Sequence, residues 1–360
     1  MEIIYYTLTA FILITSILSF IDHPHWMFRV FEFTKVHLVI LQFATFMLAL
    51  IFMKATPFIW GIQAFLVLLM VYNASILVKY TSLYKVVPQE KSPKHSAPVT
   101  LLSANVYQFN KNYQPFIDLV HQTKPNIVLT IESNKDWDKA LEVLEKDYPN
   151  HKKVPLENTY GLHFYTNLKI KKVDVHWFVA DDIPSIEAQL QTDDGYNFTF
   201  FGVHPPPPSP TEEENSKERD GELMCVAKKV RDGNAATVVV GDFNTVAWSK
   251  ASTLFRKTAE LVDPRIGRGL ISTFHANYRW FRFPIDQMFH TPDIYVNEFT
   301  VLDKFGSDHL PLFAELQINN GKNLNQENVE SLEEGEMEEV DELIAEGKAE
   351  DGERDAVAKE

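Results

Sequence analysis

Residues 237–244, Thr-Val-Val-Val-Gly-Asp-Phe-Asn, are the segment around which the sequence is organised. The β-branched run at its start is typical of a buried strand, and Gly241 predicts a sharp exit from it. Asp242 and Asn244 then lie at the carboxyl end of the strand, on one face if the chain stays extended. This pair can hold a metal, a water or a phosphate oxygen. The same residues also favour a turn in which they bond their own backbone.

Polar residues of similar kinds end other apolar strands. Asn105 ends a strand near the start of the soluble region, and Glu132 follows the apolar run 127–131. His204 follows another apolar run and precedes four prolines, which cannot continue a strand. Ser307-Asp308-His309 lies in a loop before the last predicted strand. Because side chains at one edge of a sheet converge, their joint occurrence predicts a single site suited to phosphate chemistry.

Residues 99–318 alternate between predicted strands and helices, mostly in strand–helix–strand order. The longest helical pattern covers residues 216–230. This order predicts an α/β sandwich, with two sheets packed face to face and helices outside, rather than a doubly wound sheet.

The first 80 residues are strongly apolar. Three runs, at 3–21, 36–53 and 58–78, are each of a length that suits a membrane span. Residues 22–35 mix charges with aromatic side chains, as interfacial segments do. We therefore expect a three-helix transmembrane anchor over residues 1–80 and a multi-pass protein of the cell (inner) membrane, in contact with the lipid bilayer. Three buried core helices of a soluble protein are the alternative.

The Lys and Arg count bears on which side of the membrane the soluble region lies. The first loop offers Arg29 and Lys35, the opposite loop offers Lys54, and four lysines follow the third run. The positive-inside rule favours a cytoplasmic catalytic domain. Lys91 and Lys94 lie at the edge of the range over which this rule applies, so the side of the membrane stays open.

The charge is concentrated at the C-terminal end. Residues 319–360 hold 15 Asp and Glu against 4 Lys and Arg, which accounts for −11 of the net −15. This composition predicts a disordered acidic tail, after a polar linker at 81–98 and a catalytic domain at 99–318. A protein-binding tail is the alternative, although no specific protein partner is indicated. Cys225 is the only cysteine, which excludes an intrachain disulfide and a cysteine-based zinc site.

These motifs resemble the endonuclease/exonuclease/phosphatase superfamily of DNase I-like proteins, in its membrane-anchored bacterial type. The matching elements are the Asn105 strand, PNIVLTIE ending at Glu132, Tyr160-Gly161, the strand to His204, GDFN at 241–244, PID at 284–286 and GSDHLP at 306–311. The resemblance implies a four-layer α/β/β/α sandwich.

The resemblance also implies a Mg²⁺ or Mn²⁺ cofactor. Glu132 would be its main carboxylate ligand, with Asn105 beside it and Asp308 completing the metal environment. Hard divalent cations prefer such oxygen ligands.

The remaining motif residues receive catalytic roles from the resemblance. His309 would act as general base or phosphate contact and would be oriented by Asp286. Asp242 would position or activate the attacking water, while Asn244 and His204 would bond phosphoryl oxygens. Which of His309 and Asp242 takes the proton stays open.

Two features depart from or add to the family pattern. Gln287 follows Asp286, where relatives commonly have His or Tyr. Four arginines also precede or flank this motif, and they predict either an anionic-headgroup patch or a solvated loop: Arg265, Arg268, Arg279 and Arg282.

The sequence as a whole predicts a membrane-anchored, metal-dependent hydrolase of phosphoester or pyrophosphate bonds. A phosphorylated, lipid-linked substrate is favoured over nucleic acid, because anchoring the site to the membrane raises how often it meets substrates in the same membrane. One alternative is a Mg²⁺-dependent nuclease. Another is an inactive membrane scaffold with an acidic binding tail.

Overall fold

The computed structural model describes residues 1–87, 95–319, 326–350 and 352. Its α-helices are α1 (Glu2–Leu18), α2 (Trp26–Phe33), α3 (Lys35–Phe52), α4 (Pro57–Leu77), α5 (Gln114–Thr123), α6 (Lys135–Leu141), α7 (Lys217–Gly233), α8 (Lys250–Thr258) and α9 (Glu336–Ala349). Its strands are β1 (Val99–Asn105), β2 (Ile127–Ile131), β3 (Asn150–Val154), β4 (Leu162–Thr166), β5 (Lys169–His176), β6 (Ser185–Gln191), β7 (Asn197–Val203), β8 (Thr237–Asp242), β9 (Asp286–His290), β10 (Ile294–Val301) and β11 (Leu312–Ile318).

The strands form two sheets that pack face to face. The six-stranded sheet has the order β10-β11-β1-β2-β4-β3, and the five-stranded sheet has the order β5-β6-β7-β8-β9. Buried side chains from both sheets, among them Leu129, Phe164, Phe200 and Val238, fill the space between them. Helices α5 and α6 cover the outer face of the first sheet, and α7 and α8 cover that of the second. The predicted four-layer α/β/β/α sandwich is confirmed.

Strand β8 shows why the chain needs glycine at position 241. The strand continues through Gly241 to Asp242, so the predicted sharp exit at the glycine is wrong. A Cβ atom at Gly241 would lie 1.9 Å from the carbonyl oxygen of Val203 on the neighbouring strand. Close backbone approach, rather than a turn, therefore requires the glycine.

The two sheets bring their polar strand ends to one edge. β1 and β2 are parallel, with Asn105 opposite Ile131, and Glu132 comes next along the chain. β7 and β8 are also parallel, whereas β9 runs antiparallel to β8 and places Asp286 directly opposite Asp242. The carboxyl ends of four strands and the amino end of β9 therefore meet in one place.

The N-terminal segment forms three apolar helices and the short helix α2. Within the described residues, two helices are long and apolar enough to cross a membrane, Lys35–Phe52 and Pro57–Tyr80. The first predicted span is shorter in the structure, because α1 ends at Leu18. The three-helix transmembrane anchor therefore stays a prediction, for α3 and α4 as well as for α1.

The C-terminal segment contains an element that composition did not predict. Residues 336–349 form helix α9, which packs on α7 with Val340 fully buried. A stripe at helical spacing, Met337, Val340 and Ile344, supplies the apolar contact beneath the acidic face. The expectation of a disordered tail is wrong for this helix. Residues 320–325, 351 and 353–360, and linker residues 88–94, lie outside the described part of the chain.

Candidate active site

Glu132 stands at the centre of the shared edge. It follows β2 with a φ of 62°, in the left-handed region, which turns its side chain toward the other strand ends. Its carboxylate accepts hydrogen bonds from the Asn105 amide at 2.8 Å and from the backbone N–H of Gln108 at 3.1 Å. Burial raises the pKa of Glu132 to about 7, although both hydrogen bonds oppose that shift.

Asn105 links the two carboxylates of the site. Its amide nitrogen donates to Glu132 and also to Asp242, the latter at 3.2 Å. Its Oδ1 accepts from the backbone of Tyr107 at 3.0 Å. In this orientation Asn105 acts as a donor, and direct metal ligation requires its amide to rotate. Its predicted place among the metal ligands stays a prediction.

Asp242, Asp286 and His309 form a compact buried triad. His309 Nδ1 lies 2.7 Å from Asp286 Oδ2, and its Nε2 lies 3.7 Å from Asp242 Oδ2. Candidate ligand atoms of all three lie within 4.8 Å of one another. The structure thus brings Asp286 to the position from which it was predicted to orient His309.

The charges of this triad are mutually dependent. Burial lowers the pKa of His309, but the carboxylates of Asp286 and Asp242 outweigh it and raise that pKa to about 10. The pKa of Asp242 is raised, first by burial and then by the facing carboxylate of Asp286. The imidazole is therefore protonated at neutral pH and donates to Asp286, which leaves Asp242 as the group able to accept a proton.

His204 has the opposite electrostatic character. Its Nε2 lies 4.0 Å from Asp242 Oδ2, and its ring lies against Tyr160 at a centroid distance of 5.3 Å. Burial lowers the pKa of His204 to about 4, so it is neutral at physiological pH. It can donate or accept a hydrogen bond without adding charge.

Asp242 and Asn244 form the turn that the sequence allowed, and they also lie at the predicted site. Asp242 Oδ1 accepts from the backbone N–H of Asn244 at 3.0 Å, which is the self-bonding turn. Asn244 has a φ of 51° and lines the same cavity as the catalytic candidates. Its side-chain amide donates to the carbonyl of Pro205 at 2.9 Å, which leaves its Oδ1 for a ligand. The turn therefore positions the site.

The donor set fits a divalent cation beside Glu132. Asp308 lines the cavity together with Glu132, and its Oδ1 accepts from Ser307 at 3.3 Å. Among the ion pairs of the described residues, none joins a Lys or Arg to either carboxylate. A carboxylate whose pKa is raised by burial and which lacks a cationic partner suits a metal ion. The triad of Asp242, Asp286 and His309 fits a divalent cation less well, because the protonated His309 already supplies a positive charge beside the two carboxylates.

The site opens into a cavity of about 640 Å³. Glu132, Asp242 and His309 lie on its floor, and Trp26, Val30 and Phe33 of α2 line one wall. Sequence reasoning missed this contribution from the N-terminal segment. It also missed Gln108, whose side chain bonds the Glu157 carbonyl and the Thr159 N–H while its backbone holds Glu132. The aromatic residues of 22–35 were the only signal for the wall.

The departures from the family pattern have structural explanations. Gln287 points away from the cavity and bonds the Thr245 carbonyl at 2.6 Å and Arg265 at 3.0 Å. Arg265 is itself buried in an ion pair with Asp263 at 2.8 Å. Arg282 donates to the carbonyl of Ala276 at 2.6 Å. The four arginines therefore do not form one exposed patch for an anionic headgroup.

The sequence profile of the Endonuclease/Exonuclease/phosphatase family matches residues 102–309, which is more than half of the chain. The match begins in β1 and ends at His309, so it spans the strand ends that build the site. No curated protein sequence matches this chain.

Several solved structures share the fold. TDP2 from D. rerio, complexed with a single-strand DNA product, is 14% identical with a TM-score of 0.53, over 61% of this chain and 99% of that one. An endonuclease/exonuclease/phosphatase from Bacteroides vulgatus is 18% identical with a TM-score of 0.52, over 62% and 100%. The human Nocturnin catalytic domain, with a bound sulfate anion, is 14% identical with a TM-score of 0.51, over 62% and 95%. At these identities the likeness establishes the fold alone.

Proposed function

The chain belongs to the endonuclease/exonuclease/phosphatase family, and on that premise we propose that it hydrolyses phosphoester or pyrophosphate bonds of a lipid-linked substrate at the membrane surface, using a divalent cation. The observation that carries the proposal is the convergence of Glu132, Asp242 and His309 on the floor of one cavity. Nothing in a purely structural scaffold requires this arrangement of buried charge.

The cation is the first part of the proposal. Glu132 and Asp308 would hold Mg²⁺ or Mn²⁺, with Asn105 as a further ligand after its amide rotates. When bound, the ion neutralises phosphate charge and stabilises the leaving oxygen.

The chain's own residues supply the proton chemistry. Asp242 accepts the proton of the attacking water, because its pKa is raised and its neighbour His309 is already protonated. His309, held by Asp286 at 2.7 Å, presents its Nε2 proton to a phosphoryl oxygen. Neutral His204 and the amide oxygen or nitrogen of Asn244 complete the contacts to the phosphoryl group and the water.

The membrane part of the proposal rests on the inverted polarity of α1, α3 and α4. Polar side chains such as Gln42 and Gln63 are buried between the helices. Ile40, Phe58 and Leu68 are instead more than 60% exposed. Helices that place polar groups inside and apolar groups outside suit a lipid environment.

A nuclease is less well supported by the cavity. Arg29 is the only Lys or Arg among the described residues that line it. Its guanidinium is already paired with Asp22 at 3.1 Å and lies near Asp220 and Glu32 at 3.8 Å. Binding to a nucleic-acid backbone depends on free cationic side chains, which this cavity does not offer.

The test is a substrate panel on the purified full-length protein in lipid nanodiscs. DNA, phospholipids and a polyprenyl pyrophosphate are incubated with Mg²⁺ or Mn²⁺, and released phosphate or product is measured. We expect turnover of a lipid phosphoester that Glu132→Gln and His309→Ala abolish while each variant keeps its melting transition. Asp174→Asn, which alters an acidic cluster remote from the cavity, is the matched control and retains activity. Full activity in Glu132→Gln would refute the proposal.

A further inference from the structure

Helix α2 is fixed to the catalytic domain by its backbone as well as its side chains. The N–H of Trp26 donates to the Glu214 carbonyl at 3.0 Å, and the N–H of Ser216 donates to the Pro24 carbonyl at 2.9 Å. At the other end of α2, the indole of Trp248 donates to the Glu32 carbonyl at 2.8 Å. Contacts at both ends leave α2 little freedom to move away from the cavity.

One face of α2 forms an apolar wall of that cavity. Trp26, Val30 and Phe33 are spaced by four and three residues, so they lie along one side of the helix, and all three line the cavity. Tyr107 and Phe109, from the loop after β1, line it as well. These five residues are called the apolar wall below. It stands directly beside the charged floor and widens the site well beyond the size of a phosphate group.

The charged side chains around α2 are paired with one another and do not favour an anionic occupant of the wall. Arg29 lies on α2 between the wall residues, but carboxylates of Asp22, Glu32 and Asp220 surround it. Lys250 also pairs with Asp22, and Arg219 pairs with Asp220, so three cations balance these three carboxylates. The wall itself is uncharged. An uncharged apolar group gains most from contact with it.

The wall is also continuous with the apolar N-terminal helices. Helix α3 begins at Lys35, two residues after Phe33. Phe33 packs on Phe283 of the catalytic domain, with ring centroids 5.4 Å apart, in a cluster that also contains Val36 and Val39 of α3. An apolar chain that leaves the cavity along α2 therefore stays in contact with apolar surface.

We infer that the apolar wall is the specificity-determining part of the site, and that it binds an aliphatic group attached directly to the phosphate that is hydrolysed. The inference rests on the proposed function, since it places that phosphate over the floor of Glu132, Asp242 and His309. It adds that α2, although it lies outside the family's matched region, is a component of the substrate site.

Binding of two simple probes tests this inference without knowledge of the natural substrate. Ethyl phosphate and hexyl phosphate share the phosphate but differ in apolar length. Their affinities for the full-length protein in nanodiscs with Mg²⁺ are measured by calorimetry, with empty nanodiscs subtracted. We expect hexyl phosphate to bind at least about tenfold more tightly, because its additional methylenes are removed from water.

Matched variants assign that preference to the wall. Val30→Ser and Phe109→Ser alter half-exposed side chains on different elements, so neither threatens the fold. Each lowers the affinity for hexyl phosphate about threefold to tenfold and leaves that for ethyl phosphate unchanged. Met27→Ser is the control, because Met27 is an exposed apolar residue of α2 that does not line the cavity. It changes neither affinity.

The possible failures are distinguishable. The proposed function is refuted if the unaltered protein shows no Mg²⁺-dependent binding of ethyl phosphate. It is also refuted if Glu132→Gln still binds ethyl phosphate in a Mg²⁺-dependent way. Equal affinities for the two probes in the unaltered protein, or equal effects of Val30→Ser and Met27→Ser, overturn the inference while the proposed function stands. Tighter binding of a thymidine dinucleotide than of hexyl phosphate, weakened by Phe109→Ser, also overturns it and indicates base stacking instead.

Discussion

The floor and the apolar wall of the cavity are built in opposite ways. The floor consists of buried charged groups at the ends of strands, and each is held by one or more hydrogen bonds from a neighbouring element. The wall consists of partly exposed apolar side chains on a short helix and a loop, outside the sandwich. The sheets fix groups that must be positioned to within fractions of an ångström. The added helix supplies contacts that tolerate change, so chemistry and selectivity are separately adjustable.

The largest effect is expected at the floor, from Asp286→Asn. The amide keeps the size of the side chain but removes the charge that raises the pKa of His309. That pKa then falls toward its ordinary value, and kcat drops about a thousandfold with little change in KM. Turnover of the substrate found by the panel and an NMR titration of His309 measure both effects. Asp303→Asn, an exposed residue of the loop that carries His309, is the control. An unchanged His309 titration would contradict this electrostatic account.

The pH dependence of cation binding gives the next largest effect. Burial raises the pKa of Glu132 to about 7, and a cation binds only the ionised carboxylate. Affinity for Mg²⁺ is therefore full above that pKa and is lost as pH falls through it. Between about pH 8 and about pH 6 we expect roughly tenfold weaker binding. The Mg²⁺-induced rise in melting temperature measures it, and Glu132→Gln removes the rise at every pH. A rise of the same size at both ends of this range would place the cation elsewhere.

Weakening the attachment of α2 should raise KM, which depends on the apolar wall, and should leave kcat, which depends on the floor, unchanged. Trp248→Phe keeps an aromatic ring but removes the hydrogen bond to the Glu32 carbonyl. We expect KM for a lipid phosphoester to rise about threefold with kcat unchanged, because a single neutral hydrogen bond contributes about 1 kcal/mol. Trp177→Phe, at an exposed tryptophan far along the chain from α2, is the control. A fall in kcat as large as the rise in KM would show that floor and wall are not separable.

The smallest effect is expected at α9, whose residues do not line the cavity. Lys257 pairs with Glu333 at 3.0 Å and with Glu336 at 2.9 Å, and both glutamates belong to the acidic segment. Lys257→Gln should lower the free energy of unfolding by about 1 kcal/mol, since Lys257 is largely buried but its partner Glu333 is exposed to solvent. The loss shrinks at high salt, and neither kcat nor KM changes. Denaturant unfolding at low and high salt measures it, with Lys304→Gln as the control. A change in KM would mean that α9 reaches the cavity.

The strand ends of the site were predictable because strands and their ends are local in sequence. An apolar run followed by Glu132, or by His204 and prolines, indicates where a strand ends, and parallel strands bring such ends together. The four-layer sandwich follows from the same order of elements. One local feature was nevertheless misjudged, and another was not predicted. Gly241 is required by the close approach of Val203, and Glu132 reaches the site through a left-handed backbone that no pattern of side chains encodes.

The wall and α9 were not predictable, because both depend on contacts between distant parts of the chain. The aromatic residues of α2 suit a membrane interface as well as a protein surface, and composition does not choose between them. For α9, the prediction relied on the high content of acidic residues and overlooked the apolar residues along one face of the helix. Whether His309 or Asp242 accepts the proton of the attacking water also could not be decided without the distances between these side chains. Only the placement of His309 between Asp242 and Asp286 favours the aspartate.

The left-handed backbone of Glu132 has a consequence for the evolution and engineering of the chain. A non-glycine residue at a φ of 62° costs the fold about 1 kcal/mol, and confining its carboxylate away from water costs more. Glycine at this position removes both costs, but it also removes the hydrogen bonds that the carboxylate accepts from Asn105 and Gln108. A search for heat-resistant variants that ignores turnover can therefore replace Glu132, the residue that we propose holds the cation. Such a search must be coupled to activity, because the residue that we propose as the main cation ligand is also one whose backbone and burial cost the fold stability.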